Sequence, residues 1–307
     1  VSTRGKADEA TLVTPSLLRD WPLPAAGEDK YSRGSVLVIG GARGTPGAAL
    51  LAGTAALRAG AGKLTLAVAE SVAVQVGVAL PECGAMALPE TADGSVSGEG
   101  LDRISKYLDR ADAVLVGPGL DDPGLAEELL RALLEREQPS GGPNGEGRAA
   151  VVLDAYALGG LVKLEDQLDP WRGRLILTPN PKETAVLLGR DVEDLEADVA
   201  AVAERFDAVV SCQGLVARPP GNDTEEPELW KITTGYGGLG TSGSGDVLAG
   251  AIAGLRARGT SDVQAACWGS HLHAAAADRL ASRLGPLGFL ARELADELPA
   301  LMLELNT

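Results

Sequence analysis

Residues 34–70 read GSVLVIGGARGTPGAALLAGTAALRAGAGKLTLAVAE. The run GSVLVIGG (34–41) is short, apolar and closed by glycines, which marks a buried strand. The stretch 42–60 follows with Pro46 near its start and Leu50, Leu51, Thr54, Leu57 and Arg58 at helical spacing. GKLTLAVAE (62–70) is a second strand. Strand, helix and strand at this spacing form a βαβ unit, and a βαβ unit implies parallel strands with the helix laid across one face.

The same alternation runs outward from this unit. ADAVLVGPGL (111–120) is a strand entering a Gly-Pro-Gly turn, and LAEELLRALLERE (125–137) is an amphipathic helix. QPSGGPNGEG (138–147) is a loop of turn formers. AAVVLDAYAL (149–158) is a strand ending on Asp154, and GRLILTPNPKE (173–183) is a strand, a Pro-rich turn and a helix start. A helix into a strand spans 201–214; an exposed turn and a strand span 219–235. Helices are expected at 245–258, 262–283 and 288–305, and one short helix near Pro15–Trp21 in a polar lead-in, 1–34. The pattern predicts an α/β fold: one domain, a mostly parallel sheet with helices on both faces, and the ligand at the C-terminal strand ends.

Bulk composition narrows the function. At 307 residues the chain can bury a large core, and 45% hydrophobic with 23% charged residues is ordinary for a globular protein. Aromatics are only 3%, so close contact between small residues must replace ring burial. A net charge of −16 disfavours nucleic acid and anionic membrane as partners. No 18-residue apolar run and no signal-like N-terminal core is seen, so no membrane span is expected. Cys83, Cys212 and Cys267 are few and widely spaced, which predicts reduced thiols in a cytoplasmic protein. The Ala- and Leu-rich terminal helices would suit a homo-oligomer interface.

Chemistry concentrates in GGLGTSGSGDVLAGAIAGL (237–255), where seven glycines precede and enter an apolar helix. Gly243, Ser244 and Gly245 would open that helix, whose first amides are unpaired and carry the positive end of the helix dipole. Such a turn can receive a phosphate. Asp246 beside it reads either as a base for an attacking hydroxyl or as a helix-start residue favoured by the dipole. Gly250 and Gly254 would let the helix pack closely on the sheet. Because the turn lacks GK[ST], it is not a Walker A loop.

Six motifs occur in order: GGARGTPGAALLAGTAALRAGAG (40–62), LPE (80–82), VGPGL (116–120), VLDAYAL (152–158), LTPNPKE (177–183) and GSGDVLAGAIAGL (243–255). Together, over about residues 30–301, they resemble the ADP/ATP-dependent NAD(P)H-hydrate dehydratase family of the ribokinase-like superfamily. The resemblance implies a three-layer ribokinase-like sandwich and a repair reaction. Hydrated NADH and NADPH (NADHX and NADPHX) would be phosphorylated on the 6-hydroxyl by ADP or ATP and would then lose phosphate. It implies that Asp246 is the base, that Gly243, Ser244 and Gly245 hold the transferring group, and that magnesium (Mg2+) bridges the phosphates. Ala48, Gly119, Asn180 and Asp246 would contact the substrate; Ser211, Cys212, Gln213 and Gly214 would neighbour the nucleotide; Asp154 would order water around magnesium.

Without the resemblance, Ala48 is a helix-packing residue, Gly119 a turn glycine, Asp154 a strand-end cap and Cys212 a small buried residue. For Glu82 and Glu183, cap or solvated-face readings stand as well as catalytic ones. The sequence departs from the family pattern at four places. Asn180 and Lys182 stand in TPNPKE where the family usually has TPHPGE; Tyr156 replaces an acid in the DADAL-like run; VVSCQGLVA (209–217) has no lysine before its glycine, and GYGGLG (235–240) replaces an Asn-Pro lead into the last turn. His271 and His273, two apart on a helix, face different ways, so one is expected buried and the other exposed, with no metal pair.

Other classes remain in play on the residues alone. A small-alcohol kinase would share the fold and Asp246 but release a stable phosphoester. A non-catalytic nucleotide-binding relic would explain the departures. An NAD-dependent oxidoreductase fits less well, since Gly40, Gly41, Gly44 and Gly47 do not follow G-x-G-x-x-G.

Overall fold

The computed structural model of the chain describes residues 10–25, 27–137, 148–221, 224, 226–235 and 237–306. The loop expected at 138–147, parts of the exposed turn near 222–225, and residue 236 of GYGGLG lie outside the described residues.

The strands are β1 (Thr11–Val13), β2 (Ser35–Ile39), β3 (Lys63–Ala69), β4 (Gly84–Leu88), β5 (Ala113–Val116), β6 (Ala150–Leu153), β7 (Leu175–Leu177), β8 (Val209–Cys212), β9 (Leu215–Arg218) and β10 (Glu228–Ile232). The helices are α1 (Pro15–Asp20), α2 (Pro46–Arg58), α3 (Ala73–Ala79), α4 (Ser105–Leu108), α5 (Pro123–Arg136) and α6 (Tyr156–Leu161), then α7 (Pro181–Leu188), α8 (Leu195–Phe206), α9 (Ser244–Ala257), α10 (Asp262–Leu284) and α11 (Ala291–Asn306).

These strands form one ten-stranded sheet in the order β1-β10-β9-β8-β7-β6-β5-β2-β3-β4. All neighbours are parallel except β8–β9 and β9–β10. Central strands are apolar along their whole length because both faces are covered; Val36, Leu37, Val38 and Ile39 are all buried. Alternate residues belong to two separate cores. Val36 and Val38 pack with α2, α9, α10 and α11, whereas Leu37 and Ile39 pack with α5, α6 and α8. The expected α/β architecture with helices on both faces is therefore present.

Strand order reverses beside β2. The chain moves from β2 to β3 and β4 on one side, then returns with β5 on the other. The connections leave β2 through α2 on one face and β5 through α5 on the opposite face. A crevice opens at such a switch point, beyond the strands' C-terminal ends. Here it lies between Gly40–Gly41 and Gly117–Gly119.

Three features depart from the sequence expectations. The described part of the lead-in carries a strand as well as the expected helix: β1 pairs with β10, and Val13 and Leu18 are fully buried. Gly250 and Gly254 serve a helix contact, not the sheet. A Cβ on Gly250 would lie 2.0 Å from the Ala52 carbonyl oxygen, and one on Gly254 2.4 Å from that of Ala56. The two glycines let α9 sink onto α2, while its other sides meet β2, β5, β6 and α10. Both histidines are buried, His271 at 5% and His273 at 6% exposure, because α10 is itself enclosed by the sheet, α9 and α11.

The α2–α9 contact predicts a sharp contrast. Gly250→Ala, forcing α9 away from α2, should destabilise the protein by about 1–3 kcal/mol. Gly159→Ala in α6, where nothing lies within 4 Å, should be neutral or stabilise by up to about 1 kcal/mol. Denaturant unfolding of both variants checks this; equal stabilities would contradict the close contact.

Candidate active site

The crevice is built by backbone approach. Gly41 N–H donates to the Pro118 oxygen at 2.8 Å and Ala42 N–H to the Gly119 oxygen at 2.8 Å. At Gly117 (φ +131°) a Cβ would meet the Asp154 carbonyl at 1.9 Å, so no other residue fits there. Gly119 lies against α2: its Cβ would fall 2.4 Å from the Thr45 oxygen and 3.1 Å from the Ala48 Cβ. Ala48 and Gly119, both expected to touch substrate, are thus brought side by side. The Thr45 hydroxyl donates to the Gly119 oxygen at 2.8 Å instead of capping its own helix.

Helix α9 supplies the second wall. Gly243 is its N-cap residue, left-handed at φ +87°, with no side-chain cap. The Ser244 amide donates to the Thr241 oxygen at 3.2 Å and the Val247 amide to the Gly243 oxygen at 3.2 Å. The amides of Gly245 and Asp246 have no acceptor among the described residues. Gly245 is exposed, and nothing lies within 4 Å of where its Cβ would be. Two adjacent free amides at the positive end of a 14-residue helix have the geometry to receive an anion.

Asp246 stands in that turn, half-buried, without a hydrogen-bond or ion-pair partner among the described residues. Burial pushes its carboxyl up to about 6. Asp154, at the end of β6, is 6% exposed and accepts a hydrogen bond from the Thr178 hydroxyl at 2.8 Å. Burial drives it up to about 7; the Thr178 bond opposes this, and the charges of Asp246 and Glu183 add to it. Two acids on different elements, β6 and α9, therefore share one field. The turn after Asp154 is strained: Ala155 adopts φ +51° and ψ −125°, at a cost of about 1–3 kcal/mol.

Asn180 caps α7. Its Oδ1 accepts from the amides of Lys182 (2.9 Å) and Glu183 (3.0 Å), and Glu183 Oε2 accepts from the Asn180 amide at 2.8 Å. The capping role for Glu183 is thus present, and the Asn180 amide group, on an exposed residue, keeps its Nδ2 donors for a ligand. Lys182 is exposed.

The late strand behaves differently. Ser211 is 1% exposed and shares a 2.8 Å hydrogen bond with Ser270; Cys212 is 1% exposed and contacts the Thr184 hydroxyl at 3.5 Å. Burial raises the Cys212 thiol, so it is a packed small side chain. Gln213 (φ +45°) and Gly214 (φ +78°) form the two-residue turn of the β8–β9 hairpin, with Gln213 exposed. Side-chain reach from this region belongs to Gln213 alone.

Two contributors were not singled out in the sequence, Thr45 and Thr178; His273, read there only for its burial and as no metal ligand, has its Nε2 2.9 Å from the Ser244 hydroxyl. Thr178 had a signal, since it follows Leu177, the register partner of Leu153, at the same strand ends as Asp154. A separate cavity of about 230 Å³, beside Val114, Trp171 and Arg174, lies at the opposite ends of these strands and contains none of the site residues.

Residues 36–300 match the profile of the family described as NAD(P)H-hydrate dehydratase. An ADP-dependent (S)-NAD(P)H-hydrate dehydratase of Xanthomonas campestris is 41% identical over 94% of this chain and 95% of its own length. A dehydratase of the same description from Neisseria meningitidis is 34% identical over 88% of this chain and 86% of its own length. The bifunctional NAD(P)H-hydrate repair enzyme of Moorella thermoacetica is 36% identical over 93% of this chain, which spans 52% of that longer protein. Among solved structures, the Bacillus subtilis ADP/ATP-dependent NAD(P)H-hydrate dehydratase co-crystallised with ATP/Mg2+ superposes with a TM-score of 0.72 at 26% identity, covering 97% of this chain and all of that one. Plant ribokinase, at 17% identity over 89% of this chain and TM-score 0.55, shares the fold. With a family profile spanning most of the chain and relatives aligned nearly end to end, the chain belongs to the NAD(P)H-hydrate dehydratase family.

Proposed function

We propose that this protein removes water from hydrated NADH and NADPH, using ADP or ATP as phosphoryl donor. The observation that carries the reading is the pair of acceptor-free amides at Gly245 and Asp246 beside an unpaired, half-buried carboxylate. Membership of the family supplies the substrate class.

Asp246 takes the proton of the 6-hydroxyl as that oxygen attacks the terminal phosphorus. The nucleotide leaves one phosphate shorter. Charge growing on the transferring group is held by the Gly245 and Asp246 amides, which are fixed before the reaction and need no reorganisation. The phosphorylated oxygen then departs as inorganic phosphate, a far better leaving group than hydroxide. A proton is lost from the neighbouring ring carbon and the ring double bond re-forms, so the net loss from the substrate is one water. Ala48 and Gly119, which bring the start of α2 against the β5 turn, would contact the substrate from that wall. Gln213 would meet the nucleotide from the hairpin turn.

The donor set fits magnesium in the way that ion is usually held, by one or two carboxylates together with substrate phosphates. No cluster of three or more metal-ligating side chains exists among the described residues, so the protein supplies no cage of its own. Asp154 is the side chain that would hold the ion or its water, and the ion would supply neutralisation of phosphate charge. Its arrival would also draw the Asp154 carboxyl down from about 7 into its ionised form.

Asp246→Asn keeps the shape but removes the base. Rate should fall by about 10²–10⁴-fold while nucleotide and substrate binding remain within a few-fold. Phosphate release and NADH absorbance recovery, measured on NADHX with ADP or ATP, check this. Equal rates in the two proteins would remove Asp246 from the mechanism, and a stable phosphoester product would favour an alcohol kinase.

The pH dependence has a definite sign. The base works ionised, and its carboxyl titrates at about 6. Activity should therefore decline as pH falls through about 6, tenfold for each further unit, where an ordinary aspartate would hold to about 4. A kcat/KM profile flat down to pH 4.5 would contradict the buried position of Asp246.

A further inference from the structure

Helix α10 carries polar side chains, the buried Ser270 and His273 and the half-buried Asp278, that reach toward the walls of the site. Ser270 shares a 2.8 Å hydrogen bond with Ser211 at the end of β8. Asp278 accepts the Gly235 amide at 2.8 Å, on the chain leading into the glycine-rich turn. His273 Nε2 lies 2.9 Å from the hydroxyl of Ser244, the first residue of α9. Around α10, His273 lies about 60° to one side of Ser270 and Asp278 about 80° to the other, so the three attachments fan across about 140° of the helix. The helix is long and firmly seated, with Trp268 and Leu272 fully buried, so it provides a stiff reference for all three attachments.

Resting on the function proposed above, we infer that His273 is a positioning residue for phosphoryl transfer, holding the first turn of α9 in the rotation that turns the Gly245 and Asp246 amides toward the crevice. Ser244 and Asp246 are two residues apart, about 200° around the helix. Drawing the Ser244 side chain inward therefore turns Asp246 outward. Ser244 is 4% exposed, its flanking Gly243 abuts Leu51 of α2, and Gly245 beyond it has no Cβ contact at all. The α2 packing fixes where α9 lies, and among the described residues the inward bond to His273 is the side-chain hydrogen bond that fixes the rotation of its first turn. Burial brings the imidazole down to about 4, so it is neutral near pH 7 and acts through geometry, not charge. His271 provides a matched control. It lies on the same helix, is equally buried, and its Nδ1 has no partner among the described residues.

The test compares His273→Leu, His273→Gln, His273→Asn and His271→Leu for kcat and KM in NADHX dehydration, with thermal midpoints alongside. Gln can place a polar atom near the position of Nε2, whereas Asn falls short of it. His273→Leu should lose about 10–100-fold in kcat with KM for nucleotide and substrate within about threefold. His273→Gln should recover to within about fivefold of wild type, and His271→Leu should keep kcat within about threefold. Unchanged kcat in His273→Leu, equal losses in the two leucine variants, or a Gln variant no better than Leu would each overturn the inference. Should His273→Leu not fold, the Gln and Asn pair decides: Gln near wild type with Asn impaired supports it, and equal kcat in the two overturns it. A wild-type protein that binds nucleotide but dehydrates nothing overturns the proposed function instead.

Discussion

Helix α9 lies almost bare against α2, and the rest of the site depends on that contact. Two glycines of α9 meet the backbone of α2 at Ala52 and Ala56 with no side chain between them. One helical repeat toward the N-terminus, Leu51 of α2 fills the space beside Gly243. The register of this packing brings the first turns of both helices to the same crevice. It also explains the composition, because a core of alanine and glycine contacts leaves little room for aromatic rings.

The crevice then collects charge-stabilising groups from separate elements. The α9 turn offers amides, β6 offers Asp154, and the β2 and β5 turns offer a floor of glycines. Low water access raises both acids, and the charge of Asp246 further disfavours ionisation of Asp154.

Much of this was readable from local sequence. The βαβ unit at 34–70, the Pro-led starts of α2 and α7, and Asp246 at a glycine-opened helix each follow from short-range chemistry. What escaped depends on distant partners. The three residues of β1 are too few to show a period, and they pair with β10 more than 200 residues away. The Gln213–Gly214 turn hides inside an apolar run that reads as strand and loop. The spacing of His271 and His273 correctly sets them on different faces, but only the packing of α10 shows that both faces are interior. Gly250 and Gly254 were rightly read as signs of close packing and wrongly assigned to the sheet, because spacing gives the face of a helix and not what lies against it. Ser211 and Cys212 fall where the family resemblance puts a nucleotide, yet their side chains are occupied within the protein.

The central claim is that two amides of α9 stand free beside Asp246 to grip a phosphoryl group in flight. A crystal structure with nucleotide and an aluminium fluoride mimic of that group tests it most directly. The account predicts the mimic at about 2.7–3.1 Å from the Gly245 and Asp246 nitrogens, with the Asp246 carboxylate facing it. Amides capped by the protein's own atoms, with Asp246 turned to bulk water and the mimic bound elsewhere, would contradict it.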